Sequence, residues 1–145
     1  MKLSTRTRYG MRALLELAIA NNTGPLQIKV IAERQKISNK YLEQLVAILK
    51  TAGLVRSIRG PHGGYVLSSP PEEIKLSVVF RTLEGPVLTT ECVEDASVCP
   101  NSADCATRKL WMQMDEAILG VLENKTLLDL VEMAQKSKQT MSYQI

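Results

Sequence analysis

The sequence predicts a mainly α-helical fold with a small β-hairpin, and three observations indicate this class. Apolar residues recur at spacings of three and four along several stretches, which is the period of a helix with one buried face. Two short apolar, β-branched runs occur at 54–58 and 65–67, and glycines crowd the loop between them. A length of 145 residues suits one main domain with an extension.

The first two helices are predicted from a cap and from the turn between them. Ser4 or Thr5 can cap a helix that runs to about Asn21, because a hydroxyl oxygen accepts from the unpaired N–H groups of a first turn. Residues 22–25 form a turn, and apolar spacing then predicts a short helix over about 28–36.

The third helix is predicted over Asn39–Thr51. Ser38 or Asn39 can cap it, and Gly53 ends it as a C′ glycine. Because only a brief turn separates it from the second helix, the pair forms a helix-turn-helix, whose second helix enters the major groove of DNA. Its polar face carries residue types that hydrogen-bond base edges and phosphates.

A glycine-rich loop at 59–64, with the sequence RGPHGG, joins the two β-branched runs. Glycines let the backbone approach DNA closely, and an arginine favours the narrow, negative minor groove. Such a hairpin after a helix with a free polar face is typical of a winged helix, so residues 1–70 are predicted to be a winged helix-turn-helix DNA-binding domain. An ordinary surface helix and hairpin is the alternative, and it leaves the loop chemistry unexplained. The residues predicted to contact DNA are Arg8, Ser38, Asn39, Lys40, Tyr41, Glu43, Gln44, Arg59, Gly60, Pro61 and His62.

The charges are divided unevenly along the chain. Residues 1–60 carry eleven Lys or Arg against three Asp or Glu, a balance of +8, whereas residues 61–145 carry seven against twelve, a balance of −5. The basic half predicts double-stranded DNA as a partner. Arg6, Arg8 and Arg12 oppose the dipole of the first helix; a bound phosphate would offset that cost, and a solvated face is the alternative.

The second half is predicted to hold a connecting helix, a loop and two further helices. Residues 71–105 form the connector, since Ser77 can cap a helix to Leu83 and the residues that follow show no helical or strand period. Residues 106–145 form a dimerisation helix and a C-terminal helix. The last helix is capped at Thr126 and runs to about residue 135, and the tail after it is predicted to fray.

The helix that begins at 106 carries an apolar stripe after the DNA-binding unit is already complete. Such a stripe needs another surface to cover it. A second subunit in a two-fold homodimer is expected to supply that surface, with packing on the chain's own domain as the alternative. The stripe consists of Leu110, Met114, Ala117, Ile118 and Val121.

All three cysteines, Cys92, Cys99 and Cys105, fall in the loop before this helix, with the spacing C-x6-C-x5-C. The loop offers no large apolar residue to pack it, so a thiolate-bound metal centre is expected to hold it. Zinc sites usually show a tighter cysteine pair, and the wider spacing favours an iron–sulfur cluster. Zinc and redox-active thiols remain alternatives. No fourth ligand is visible, and the single histidine, His62, is expected to be a contact of the wing.

Several function classes are disfavoured. The sequence has no Ser-His-Asp, Cys-His or phosphate-loop arrangement, so an enzyme is not expected. No apolar run reaches membrane-spanning length, and the charges in the first twenty residues argue against a signal peptide, so a cytoplasmic protein is expected. A protein–protein module without DNA activity is a further alternative, against which the basic half argues.

Three motifs resemble the IscR-type regulators of the Rrf-two superfamily, which also includes the nitric-oxide sensor NsrR and the cysteine-metabolism regulator CymR. The motifs are MKLSTRTRYGMRALLELA at the start, ISNKYLEQL at 37–45 and RGPHGGYVL at 59–67, and the similarity extends to about Val131. The resemblance implies a homodimeric winged-helix transcription regulator. It also implies that Cys92, Cys99 and Cys105 bind an iron–sulfur cluster, with [2Fe–2S] favoured over [4Fe–4S].

The chain departs from this pattern at the fourth cluster ligand. IscR resembles C-x5-C-x5-C and has a histidine three positions after its third cysteine, where this chain has Arg108. NsrR-like members use an acidic residue where this chain has Arg8, so the fourth ligand is unknown. Its candidates are Glu91, Glu94, Asp95 and Asp104, or an external thiol or water. The expected function is sensing of iron–sulfur, redox or nitrosative status through a labile cluster. The alternative is a cluster-free or zinc-binding thiol sensor of the same fold.

Overall fold

Helices dominate the computed structural model, which describes residues 1–143. A two-stranded antiparallel hairpin is its one sheet within those residues, so the predicted fold class is confirmed. Three single turns of 3₁₀ helix lie at Pro71–Glu73, Ala96–Val98 and Ser102–Asp104. The elements in chain order are α1 (Thr5–Ile19), α2 (Ile28–Gln35), α3 (Asn39–Thr51), β1 (Val55–Ile58), β2 (Gly64–Leu67), α4 (Leu76–Leu83), α5 (Glu91–Glu94), α6 (Ala106–Glu123) and α7 (Leu127–Ser142).

The predicted helix-turn-helix is confirmed in α2 and α3. Ser38 caps α3, since its side chain accepts from the backbone N–H of Tyr41 at 3.1 Å. The apolar stripe of α3 is buried against α1 and α2, which leaves the opposite face of the helix to solvent. The stripe consists of Leu42, Leu45, Val46 and Leu49.

The wing is built on close backbone contacts. β1 pairs with β2 from Val55 opposite Leu67 to Ile58 opposite Gly64. Leu26 forms an isolated antiparallel bridge with β2, because its N–H and C=O both bond to the backbone of Tyr65, at 3.0 and 2.7 Å. A Cβ on Gly64 would lie 2.4 Å from the carbonyl oxygen of Leu26, so this glycine is required by the packing of the wing on the chain before α2.

The start of α4 differs from the prediction. Ser77 is buried inside the helix and does not cap it, and the helix begins at Leu76. The cause is a distant contact. Lys75 pairs with Thr126 in an isolated antiparallel bridge, and the N–H of Leu76 donates to the carbonyl of Lys125 at 3.0 Å. This pairing places the first turn before the serine.

Glu84 joins the end of α4 to the start of α1. Its carboxylate accepts from the backbone N–H of Ser4 at 3.2 Å, from the Ser4 hydroxyl at 2.7 Å and from the Thr7 hydroxyl. The hydrogen bonds from Thr7 and then from Ser4 lower the pKa of the Glu84 carboxyl below its ordinary value. A carboxylate at a helix N-terminus is also favoured by the helix dipole, so this contact stabilises the α1–α4 arrangement.

The C-terminal helix packs back on α1. Thr126 and Asp129 form the predicted capping box, and Leu127 and Val131 are buried. The prediction that the helix ends near 135 and frays is wrong for the described residues, because α7 continues to Ser142 without a glycine or proline to stop it. Gln144 and Ile145 of the predicted tail lie outside the described residues. Over residues 1–143, none of the helices combines the length and apolarity needed to span a membrane.

Candidate nucleic-acid interface and cysteine loop

The outward face of α3 presents polar side chains to solvent. Asn39, Lys40, Glu43 and Gln44 are all exposed, opposite the buried stripe, as the sequence predicts for a helix that reads base edges. Ser38 is also exposed, but its hydroxyl is engaged as the cap of α3. Polar side chains therefore begin at the N-terminal end of α3, and the recognition helix of a helix-turn-helix lies in the major groove with its N-terminal residues on base edges.

Tyr41 connects α3 to α1. Its ring packs edge-on against Tyr9 of α1, with 6.2 Å between ring centroids and an interplanar angle of 89°. Its hydroxyl lies 3.5 Å from the Thr5 hydroxyl, at the first residue of α1. The side chain thus links the first turns of α1 and α3, and it orients the recognition helix.

The tip of the wing is open. Arg59, Gly60, Pro61 and His62 are exposed, and Gly60 has a φ of +112°, a conformation that favours glycine. At the base of the wing, Lys50 of α3 donates to the Ser57 hydroxyl of β1 at 3.3 Å. The helix and the wing are therefore held together as one surface.

The sequence reasoning overlooked one exposed cation of this surface. Arg56 lies on β1 and pairs across the hairpin with Val66. The signal was present in the sequence, because the buried Val55 is followed by a charged residue in a strand, where side chains alternate between faces. Arg56 adds an exposed positive charge to the same hairpin as Arg59.

Arg8, the predicted DNA contact on α1, is exposed. Its guanidinium is 5.8 Å from the centre of the Tyr9 ring, and its side chain lines an apolar groove between α1 and α6. The other two arginines of α1 have partners within the chain: Arg6 donates to the carbonyl of Leu83 and Arg12 to the side-chain oxygen of Gln35, each at 2.6 Å. These contacts offset part of the cost of placing cations at the start of a helix.

The cysteine loop holds its three thiols apart. Cys92 lies in α5, Cys99 follows a 3₁₀ turn, and Cys105 directly precedes α6; all three are partly exposed. Over the part of the chain that the structure describes, no group of three or more His, Cys, Asp or Glu side chains is placed to hold a metal ion. The predicted ligands are therefore near one another in sequence but are not gathered in this structure.

Cys105 caps the N-terminus of α6. Its sulfur lies 3.1 Å from the Thr107 hydroxyl and accepts from the backbone N–H of Arg108 at 3.4 Å. These two hydrogen bonds, the one with Thr107 first, lower the pKa of the Cys105 thiol. The thiolate is the form that attacks oxidants and binds metals, so these contacts favour the reactive form of Cys105.

Two side chains of α6 hold the beginning of the loop. Arg108, at the position where IscR has a histidine, donates from Nε to the carbonyl of Cys92 at 2.6 Å. About two turns further on, the buried Asp115 accepts from the backbone N–H of Thr89 at 3.0 and 3.2 Å. Arg108 therefore links the first and last cysteines of the loop: its guanidinium bonds to the Cys92 carbonyl, and its own backbone N–H bonds to the Cys105 sulfur.

The apolar stripe of α6 is largely uncovered. Leu110, Met114 and Val121 are 49%, 40% and 57% exposed, and within the described residues Asp115 is the one buried side chain of this helix. Beside it, the groove between α1 and α6 has a volume of about 670 Å³ and is lined mostly by apolar residues. An apolar face of this kind marks an interaction surface.

A capped recognition helix, an open wing built on glycines and an uncovered apolar helix define a class: DNA-binding transcription regulators of the winged-helix type. A family profile described as "Rrf2: Iron-dependent Transcriptional regulator" matches residues 3–133. The chain belongs to this family, whose members are regulators and not enzymes, and the resemblance seen in its motifs is confirmed.

Relatives and solved structures agree with this assignment. The HTH-type transcriptional regulator CymR of Bacillus subtilis (strain 168) is 45% identical over 130 residues, which cover 90% of this chain and 89% of the relative. The structure of CymR (YrzC), the global cysteine regulator of B. subtilis, superposes with a TM-score of 0.80 at 43% identity, covering 92% of this chain and 98% of that one. T. potens IscR superposes with a TM-score of 0.78 at 37% identity, covering 94% and 90%.

Proposed function

We propose that this protein is a homodimeric regulator that binds two-fold operators in double-stranded DNA and senses iron–sulfur, redox or nitrosative status through its cysteine loop. The observation that carries the proposal is the position of Cys105. Cys105 belongs to the cysteine loop and also caps α6, the helix whose apolar stripe is exposed. A chemical change at this thiol would therefore act directly on the start of the proposed dimerisation helix. The division into units at 1–70, 71–105 and 106–145 is part of the same proposal.

The homodimer rests on α6. A second copy of α6 would cover Leu110, Met114 and Val121 and form an isologous interface, in which each stripe contacts the other. The two recognition helices would then be related by a two-fold axis and would suit a palindromic operator. In each half-site, α3 lies in the major groove, and Arg59 at the wing reaches the adjacent minor groove or backbone.

The cluster rests on the kind of donor that the loop offers. Three partly exposed thiols, one of them with a lowered pKa at a helix N-terminus, are the ligands that iron–sulfur clusters use, so the residues fit in kind, although the loop must bring the sulfurs together. A bound cluster supplies a centre that oxidants and nitric oxide attack, and [2Fe–2S] is favoured. Arg108 keeps Cys92 tethered to the start of α6.

The local hydrogen bonds reduce the set of candidate residues for the fourth cluster ligand. The carboxylate of Asp95 already accepts from the Ser97 backbone N–H at 2.9 Å and from its hydroxyl at 2.6 Å, which lowers the pKa of the Asp95 carboxyl. Glu91 is exposed in the first turn of α5, one residue before Cys92. We therefore favour Glu91 over Asp95, and Glu94, Asp104 and an external thiol or water remain candidates.

A second candidate function is a cluster-free or zinc-binding thiol sensor of the same fold. The similarity to CymR favours it, because the CymR structure is that of a global cysteine regulator. The separation of the thiols in the structure favours it too, since a reactive Cys105 needs no gathered site.

Purification without oxygen distinguishes the two candidates. The cluster predicts a brown protein with iron and sulfide in equal amounts and a visible absorption that a Cys92→Ala, Cys99→Ala, Cys105→Ala variant lacks. Both proteins are then titrated on duplex DNA at several salt concentrations. A colourless wild type whose DNA affinity responds to a thiol oxidant supports the second candidate. Absence of salt-dependent binding to any duplex contradicts both.

A further inference from the structure

The outward line of α3 changes character halfway along the helix. Lys40, Gln44, Ala47 and Thr51 are spaced by four, three and four residues, so they lie in one row on the face opposite the buried stripe. All four are exposed. The first two carry long polar groups, and the last two present methyl groups.

The methyl-bearing half forms a shallow apolar depression. It has a volume of about 390 Å³ and is lined by Ala47, Ile48, Thr51 and Ala52, all from α3 or its C-terminal cap. None of these four residues belongs to the buried cluster itself, and Ile48 packs partly buried against it. Ala47 and Thr51 are exposed and lie in the same row as Lys40 and Gln44, so the open side of the depression adjoins the polar face of α3.

Resting on the proposed function, we propose that Ala47 and Thr51 read the 5-methyl groups of two thymines in each operator half-site. Thymine places a methyl group in the major groove, and the methyls of Ala and Thr are suited to contact it. The occupant follows from continuity: these residues share one helix row with Lys40 and Gln44. Lys50 of the same helix is exposed and donates to Ser57 of β1, and Arg56 on that strand is exposed too, so the helix and the wing carry cations suited to phosphates.

The short side chains also set the distance of approach. Long groups in this part of the row would hold the helix away from the groove floor, whereas Ala47 lets the backbone come close. Four residues of helix rise about 6 Å, and bases of one strand rise about 3.4 Å per step. The thymines read by Ala47 and Thr51 are therefore expected about two base pairs apart.

The test removes single methyl groups from each side of the contact. The full-length protein first selects its operator from random duplexes, and each thymine of that operator is then replaced, one at a time, by deoxyuridine. Affinities are measured at fixed salt for the wild type, Ala47→Gly and Thr51→Ser. We expect the wild type to lose about fourfold at each of two thymines per half-site, the value of one buried methyl. Ala47→Gly should lose the sensitivity at one thymine and Thr51→Ser at the other.

A matched control is Thr82→Ser, which removes a methyl from a partly exposed threonine of α4 and should keep the wild-type profile. Ala47→Gly costs helix stability, so thermal unfolding is compared; if that variant does not fold, Thr51→Ser alone decides. A selected operator without deoxyuridine sensitivity, or the same sensitivity in both variants, overturns the inference and leaves the proposed function standing. Failure of the wild type to select any duplex overturns the proposed function itself.

Discussion

The two parts of this molecule satisfy their apolar residues in different ways. The buried hydrophobic cluster draws on α1 to α4, the wing and α7, and among the described residues it contains none between 84 and 126. The cysteine loop and α6 occupy that interval. The first part buries its apolar residues within one chain. The second leaves the apolar stripe of α6 exposed to solvent and its three thiols partly exposed.

This difference in packing bears on how stable each part is by itself. A part whose core is closed has a stability set by its own packing, and it can carry a DNA-binding face of constant shape. A part with an exposed apolar stripe has fewer buried contacts of its own, so local changes of structure cost less free energy there. The contacts of Arg108 and Asp115 with the loop lie on this second part.

A leucine-to-alanine substitution in each part is expected to give the largest difference in stability between them. Leu42 is fully buried, and Leu42→Ala is expected to lower the free energy of unfolding by about 2–5 kcal/mol. Leu110 is 49% exposed, and Leu110→Ala should change the stability of the monomer by less than about 1 kcal/mol. Urea unfolding at several protein concentrations measures both. Equal losses at a concentration where the chain is monomeric would contradict the division.

A charge in the open stripe tests what covers it. Met114→Asp would bury an unpaired carboxylate in the proposed homodimer, and we expect the dimer to weaken by about 3 kcal/mol or more, roughly a hundredfold. Sedimentation at micromolar concentration measures the assembly. Met114→Leu keeps the volume and apolar character of the residue and should remain dimeric. A monomeric wild type would count against the proposed operator geometry.

Loss of the wing cation tests the first part. Arg59→Ala should weaken binding to every DNA sequence by about 1–3 kcal/mol, because the exposed guanidinium has the position of a minor-groove or backbone contact. Arg81→Ala removes the same charge from the exposed surface of α4 and is the control. Gel-shift titrations at fixed salt compare the two, and unchanged affinity in Arg59→Ala would remove the wing from the interface.

The smallest effect concerns the junction between α1 and α4. The folded pKa of Glu84 is lowered, so its stabilising contribution is present above the ordinary glutamate pKa of about 4.3 and is lost as the pH falls through the folded pKa. Glu84→Gln should therefore lower the melting temperature slightly at pH 7, and the difference should shrink below about pH 4.3. Glu72→Gln, an exposed glutamate, is the control. A difference that stays constant between pH 7 and pH 3 would contradict this role.

Local chemistry determined the parts of this protein that the sequence predicted correctly. Ser4, Ser38 and Thr126 cap helices with their own side chains, and the period of three and four selects the buried face of α3. These signals act within one or two turns, so they are legible in the order of residues. The helical class and the third helix follow from them, whereas the family was recognised from the resemblance of three sequence motifs.

Tertiary structure decided what depends on residues far apart in the chain. The start of α4 was mispredicted because the pairing of Lys75 with Thr126 overrides the local cap signal of Ser77. The contact between Glu84 and Ser4 joins residues 80 positions apart. From the sequence, Arg108 was notable only because IscR has a histidine at that position, whereas the structure shows that it binds the Cys92 carbonyl. Such contacts form when distant segments pack together, and no periodicity along the chain records them, because their partners are chosen by the packed core and not by neighbours in sequence.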